Sequence, residues 1–220
     1  MKKINLPTKI TIARIVLATL LLIGVTVLYL VDQYNPFIYT FNFKIMDGVV
    51  LNEILLVIFV VFLIGSLTDY LDGHIARKYN MVTELGKFLD PIADKMLVNG
   101  MIIFLALNFC SIGGFVKFPF FCVIILVIRD IIVDGLRFIC ARKNVVIAAN
   151  IFGKLKTVLE MVTISIVLLN GFPFSFIDSS WPTYLHISDI LCYLTTIASV
   201  VSGIIYFIQN KDCLKEDYGK

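Results

Sequence analysis

The chain has 220 residues, of which 59% are hydrophobic and 16% charged, with a mean hydropathy of +0.93. Soluble domains carry nearer a quarter charged residues, so these proportions exclude an ordinary soluble domain and point to one integral membrane domain over residues 1–220. The net charge of +3 is too small to indicate a nucleic-acid partner.

The five cysteines (Cys110, Cys122, Cys140, Cys192 and Cys213) are dispersed, with no CxxC spacing, and read as small apolar side chains rather than a disulfide framework or zinc site. Lys2, Lys3 and Lys9 precede an apolar run too long for a secretory signal core, so that run reads as a first spanning helix.

In chain order, residues 1–14 read as a short amphipathic juxtamembrane helix, with Asn5, Pro7 and Thr8 as start signals. A first span follows at about 15–31, then a polar and aromatic loop over 32–52. Further spans are expected at about 53–68, 89–109, 118–138, 158–169 and 187–208, and the charged segment 211–220 reads as a tail. Pro91 either opens a helix or kinks one. The expected class is therefore all-α, a bundle of six transmembrane helices. With an even number of spans, 17 of the 19 Lys and Arg residues fall on one side, Lys44 and Lys117 being the exceptions. The positive-inside rule places both termini and that side in the cytoplasm, in the cell (inner) membrane.

Residues 69–94 stand out within this apolar background. Asp69 and Asp72 lie three apart and Asp90 and Asp94 four apart, so on a helix each pair shares a face. Acids at a membrane edge are costly unless a cation compensates them, and are functional candidates for that reason. Hard oxygen donors suit Mg²⁺ or Mn²⁺ rather than zinc or copper.

The full spacing is Asp69-x2-Asp72-Gly73-x2-Ala76-Arg77-x8-Gly86-x3-Asp90-x3-Asp94, eight residues over 26 positions. It resembles the signature of the CDP-alcohol phosphotransferases at every defined position. That resemblance implies two divalent metal ions held by Asp69, Asp72, Asp90 and Asp94, with Asp94 the catalytic base for the incoming hydroxyl. It also implies a CDP and diphosphate site formed by Asp69, Asp72, Gly73, Ala76, Arg77 and Gly86, and a homodimer.

The acceptor is expected to be read by a second polar region. Arg129 and Arg137 are eight apart, a little over two helical turns, and Gly153-Lys154-Leu155-Lys156-Thr157 follows. Basic residues converging from two helices suit an acceptor that carries phosphate. These runs, and Asn5-x-Pro7-x3-Thr11-x2-Arg14, resemble the phosphatidylglycerolphosphate synthase branch, although Asp134-Gly135 departs from its small apolar residues. The implied reaction joins CDP-diacylglycerol and glycerol 3-phosphate into phosphatidylglycerol phosphate and CMP, with Arg129, Arg137, Lys154 and Lys156 on the acceptor phosphate. Rival readings are a cardiolipin-type or inositol-phosphate-type transferase using the same donor, and, more remotely, a cation transporter whose acids would spread across the membrane depth. Arg142 and Lys143 read as juxtamembrane charges.

Overall fold

Along each apolar run the inward positions recur every three or four residues, the period that gives a helix one buried face. On the first helix that face is Thr8, Thr11, Arg14, Ala18, Leu21 and Val25. The computed structural model describes residues 5–34, 41–46, 49–79, 83–107, 117–143, 151–178, 181 and 186–214. Its helices are α1 (Leu6–Tyr34), α2 (Glu53–Lys78), α3 (Glu84–Ala106), α4 (Phe120–Arg142), α5 (Ile151–Leu168), the single turn α6 (Ser175–Asp178) and α7 (Ile187–Asn210). A 3₁₀ turn, Lys211–Leu214, follows α7.

The protein is helical as expected, with one departure. Part of the 32–52 loop is an antiparallel hairpin of β1 (Asn42–Met46) and β2 (Val49–Asn52), with Asn42 opposite Asn52. Asn52 closes the hairpin and starts α2 at once. Its Nδ2 donates to Asn42 Oδ1 at 2.7 Å, while its Oδ1 accepts from the amides of Ile54 (2.9 Å) and Leu55 (3.2 Å).

Four boundaries differ from the sequence expectation, one being α5, which starts at Ile151 rather than about 158 and so carries Lys154 and Lys156 on helical backbone. No separate juxtamembrane helix exists over residues 6–14: α1 runs unbroken, because nothing there breaks a helix and Thr8, Thr11 and Arg14 keep register with the buried stripe above them. Residues 1–4 lie outside the described residues. Helix α2 continues past residue 68 to Lys78, so it carries the first acidic pair on helical backbone. Helix α3 starts at Glu84, because Thr83 caps it by accepting from Gly86 N at 3.0 Å. Pro91 therefore lies inside α3.

Helix α1 packs most extensively on α3 and then on α2, and α7 packs on α5 and α4. Glycines permit the approach of α3 to α1 and of α2 to α3. A Cβ on Gly100 would lie 2.5 Å from Leu22 Cδ2, and one on Gly65 2.8 Å from Leu97 Cδ2. At the far end, Asn170 takes φ 52° and Gly171 φ 80°, so Gly171 N bonds back to Ile166 O at 2.8 Å and ends α5, while Asn170 Nδ2 ties it to Val50 O at 2.8 Å.

The distribution of polarity suits a lipid surrounding. The buried face of α7 is Ser188, Cys192, Thr195, Thr196, Ser199, Ser202 and Tyr206, whereas Leu194, Ile197, Val201, Ile204 and Ile208 point outward. Small polar residues inside and large apolar ones outside is the pattern of helices packed in a bilayer. Among the described residues two helices, α1 and α7, are long and apolar enough by composition to cross a membrane.

Gly100→Val is expected to drive its side chain into Leu22 and lower stability by about 1–3 kcal/mol, as overpacking does. Leu22→Ala in the same chain should recover part of the loss in a detergent unfolding titration. An unchanged midpoint for Gly100→Val would mean that the α1–α3 approach tolerates bulk.

Candidate active site

Hydrogen bonds and ion pairs gather the charged residues of α1 to α5, and polar groups of α7, at one end of the bundle. The amino-terminal turns of α1 meet the end of α2 and the start of α3. Arg14, only 2% exposed, pairs with Asp69 through Nη1, and its Nη2 lies 3.9 Å from Asp90 Oδ1. Thr11 Oγ1 donates to Asp90 Oδ1 at 2.8 Å, and Thr8 and Thr83 share a hydroxyl contact of 2.8 Å. Two of the four expected metal ligands, Asp69 on α2 and Asp90 on α3, thus converge on one buried guanidinium. Arg14 was legible only as the last position of the short amino-terminal pattern, and it was not among the expected site residues.

The donor chemistry fits a hard divalent cation. Both groups are carboxylates, with side chains 39% (Asp69) and 47% (Asp90) exposed. In each, Oδ1 is engaged while Oδ2 carries no hydrogen bond among the described residues. No group of three or more His, Cys, Asp or Glu close enough to hold a metal occurs among the described residues. Asp72, Ala76 and Arg77 fall on the helical backbone of α2, but their side chains lie outside the described residues. Gly73 is on the same helix. Gly86 is buried at the cap, where a Cβ would sit 3.1 Å from Thr83 Oγ1 and 3.5 Å from Thr8 Oγ1. A side chain there would press on the capping hydroxyls that start α3.

Asp94 adjoins the second half of the site. It lies within electrostatic reach of Arg14, Lys156, Asp130 and Lys95. With Arg129, Arg137, Lys154 and Lys156 it lines one cavity of about 210 Å³. The catalytic candidate and all four basic candidates therefore share one space, drawn from α3, α4 and α5, with Ser202 and Tyr206 of α7 closing it.

Inside that cavity wall the charges pair. Lys156 Nζ is held by Asp130 Oδ1 at 2.9 Å, Asp130 Oδ2 at 3.0 Å and Glu160 Oε2 at 2.6 Å. Arg129 Nη1 donates to Asp130 Oδ1 at 3.0 Å. Lys95 donates to the Asp130 carbonyl oxygen at 3.1 Å and pairs with Asp134. Sequence reasoning missed Lys95, Glu160 and Tyr206 as site residues. For Glu160 a signal existed: an acid four residues after Lys156 within an apolar run shares its helix face.

The sequence profile of CDP-alcohol phosphatidyltransferases matches residues 4–205. The chain belongs to the CDP-alcohol phosphatidyltransferase family. It is 36% identical over 217 residues to a Bacillus subtilis protein, covering 96% of this chain and 97% of that one. It is 36% identical over 217 residues to a Mycoplasma pneumoniae protein (96% and 89% covered) and 28% identical over 218 residues to one from Haemophilus influenzae (98% of each). All three bear the name CDP-diacylglycerol–glycerol-3-phosphate 3-phosphatidyltransferase. Within the family the chain is an enzyme, and the eight-residue signature and the basic cavity both lie inside the matched span.

Removing a buried shared charge should cost more than removing a half-open one. Asp130→Asn leaves Lys156 and Arg129 short of their common anion and is expected to cost about 3 kcal/mol. Asp134→Asn, at a side chain 23% exposed against 8% for Asp130, should cost less. Unfolding titrations of the two variants in mixed micelles check the order, and the reverse order would mean that Asp130 does not hold this wall together.

Proposed function

We propose that this protein transfers the phosphatidyl group of CDP-diacylglycerol to a hydroxyl of glycerol 3-phosphate, giving phosphatidylglycerol phosphate and CMP. The observation that carries this reading is the single cavity in which Asp94 faces Arg129, Arg137, Lys154 and Lys156. A carboxylate and a set of cations in one space suit an acceptor that brings both a hydroxyl to be deprotonated and a phosphate to be held. The names of the relatives support the same substrates.

Asp94 takes the proton of the acceptor hydroxyl as its oxygen bonds to the phosphorus next to the diacylglycerol. The bond from that phosphorus to the bridging oxygen breaks, and CMP leaves with the electron pair. Asp69, Asp72, Asp90 and Asp94 would hold two divalent ions, Mg²⁺ or Mn²⁺, whose charge when bound offsets that of the diphosphate. Gly73, Ala76, Arg77 and Gly86 belong to the CDP and diphosphate site. Positioning and electrostatics supply most of the rate in such transfers.

The surrounding is a cell (inner) membrane crossed six times, by α1 to α5 and α7, with both termini and the charged end of the bundle in the cytoplasm. The outward apolar faces of α1, α4 and α7 and the lopsided Lys and Arg distribution support this. The functional unit is a homodimer, as the family resemblance implies.

Membranes or purified protein given CDP-diacylglycerol, Mg²⁺ and labelled glycerol 3-phosphate should release CMP and form a labelled lipid. No CMP with any alcohol would overturn the enzyme reading, while release with inositol phosphate alone would replace only the acceptor. Asp94→Asn should lower turnover by at least about a hundredfold without unfolding the protein, and near-normal turnover would remove Asp94 as the base. Chelation of divalent ions should stop turnover, with Mg²⁺ or Mn²⁺ restoring it.

A further inference from the structure

We propose that Cys140 and Cys213 form a reversible oxidation site: a peroxide joins them into a disulfide that clasps the turn after α7 to the end of α4. The site is independent of which acceptor the cavity takes.

The fold assembles it from elements far apart in the chain. Val133, Leu136 and Cys140 recur at helical spacing on α4. With Tyr206 of α7 and Cys213 of the 3₁₀ turn they form a small buried cluster separate from the main core. The turn Lys211–Leu214 packs on both α4 and α7, which carries Cys213 back onto the end of α4. There the two thiols come within hydrogen-bonding reach of one another, and both are free. Thiols that already meet need little backbone movement to be joined.

Access separates this pair from the other cysteines of the same two helices. Cys122 of α4 and Cys192 of α7 also come near each other, but they sit in the main apolar core at 3% and 0% exposed. Burial on all sides keeps a polar oxidant from both. Cys213 lies beyond the last helix in the polar segment Lys211–Leu214 and is 8% exposed, against 0% for Cys140. Cys213 is therefore the thiol that reacts first and Cys140 the one that resolves the product.

The chemistry balances with hydrogen peroxide as the oxidant. The Cys213 sulfur attacks one peroxide oxygen, the O–O bond breaks, and the departing oxygen leaves as water with the thiol's proton. The Cys140 sulfur then attacks the sulfur of the resulting sulfenic acid, the S–O bond breaks, and a second water leaves with the Cys140 proton. The two thiols supply the two electrons that reduce the peroxide, and a dithiol reverses the bond by exchange.

The clasp lies directly behind the cavity. Val133 and Tyr206 of the same cluster also line that space, and Tyr206 Oη accepts from Arg137 Nε at 3.0 Å. Oxidation thus adds a covalent tie to a wall of α4 and α7 that packing alone holds in the reduced protein. At the cytoplasmic face proposed above, thiols are kept reduced, so such a bond responds to oxidant rather than holding the resting fold.

The test treats the full-length protein in mixed micelles with hydrogen peroxide, alkylates the remaining thiols in denaturant and maps the peptides without reductant. A linked pair of peptides carrying Cys140 and Cys213 is expected, released by dithiothreitol, with Cys122 and Cys192 recovered as alkylated thiols. The oxidised protein should unfold at a midpoint at least about 4 °C above the reduced one, and Cys213→Ser should abolish that gain. Cys140→Ser, which lacks the resolving thiol, should accumulate a sulfenic acid at Cys213 that dimedone traps.

Recovery of both Cys140 and Cys213 as alkylated thiols after peroxide would overturn the proposal. So would a bond from either of them to any other cysteine, in the same or a second chain. An unchanged midpoint in the linked protein would overturn the clasp. Dimedone labelling of Cys140 in Cys213→Ser that matches the labelling of Cys213 in Cys140→Ser would overturn the order of attack.

Discussion

The ammonium of Lys156, enclosed between Asp130 and Glu160, is the interaction on which the charged end of this bundle depends. An isolated charge at that burial would be costly, and so would either carboxylate alone. Together they bind α4 to α5, and Asp130 passes the connection on to Arg129, which reaches α7 through Ser199 and Ser202. Lys95 adds α3 through the Asp130 carbonyl and Asp134. Four helices thus share one network, and the cavity is the space left in front of it.

A second buried cation does comparable work for the ends of α1, α2 and α3, so α3 belongs to both networks. Arg14 holds α1 against Asp69 of α2 and Asp90 of α3. Two carboxylates approaching each other repel, and a guanidinium between them offsets that repulsion within the protein itself. Asp94 is within electrostatic reach of both cations, Arg14 and Lys156. A donor diphosphate on the Arg14 side and an acceptor phosphate on the Lys156 side would then meet at Asp94, the arrangement that in-line transfer between two anionic substrates demands.

Much of this was legible in the chain. The six apolar runs correspond to α1 to α5 and α7, and the eight-residue signature and four basic residues fall on one charged end. The hairpin was not legible, because Asn42–Met46 and Val49–Asn52 are short strands and the turn signal Asp47-Gly48 alone does not distinguish a hairpin from a loop. Helix ends were misjudged where polarity was taken for termination: α2 keeps its helix through Asp69 and Asp72, and α3 begins five residues before its apolar run. Tyr206 was missed because its partner Arg137 is on another helix, whereas Glu160 was passed over although it stands four residues after Lys156 on the same helix.

The central claim is that a phosphate-bearing acceptor receives the phosphatidyl group at this cavity. The most direct test is ³¹P NMR of the lipid formed from CDP-diacylglycerol and glycerol 3-phosphate by the purified protein. A lipid carrying one phosphodiester and one phosphomonoester in equal amounts, with one CMP released per lipid, is the predicted result. A lipid with a phosphodiester alone, or CMP released without any new lipid, would contradict it.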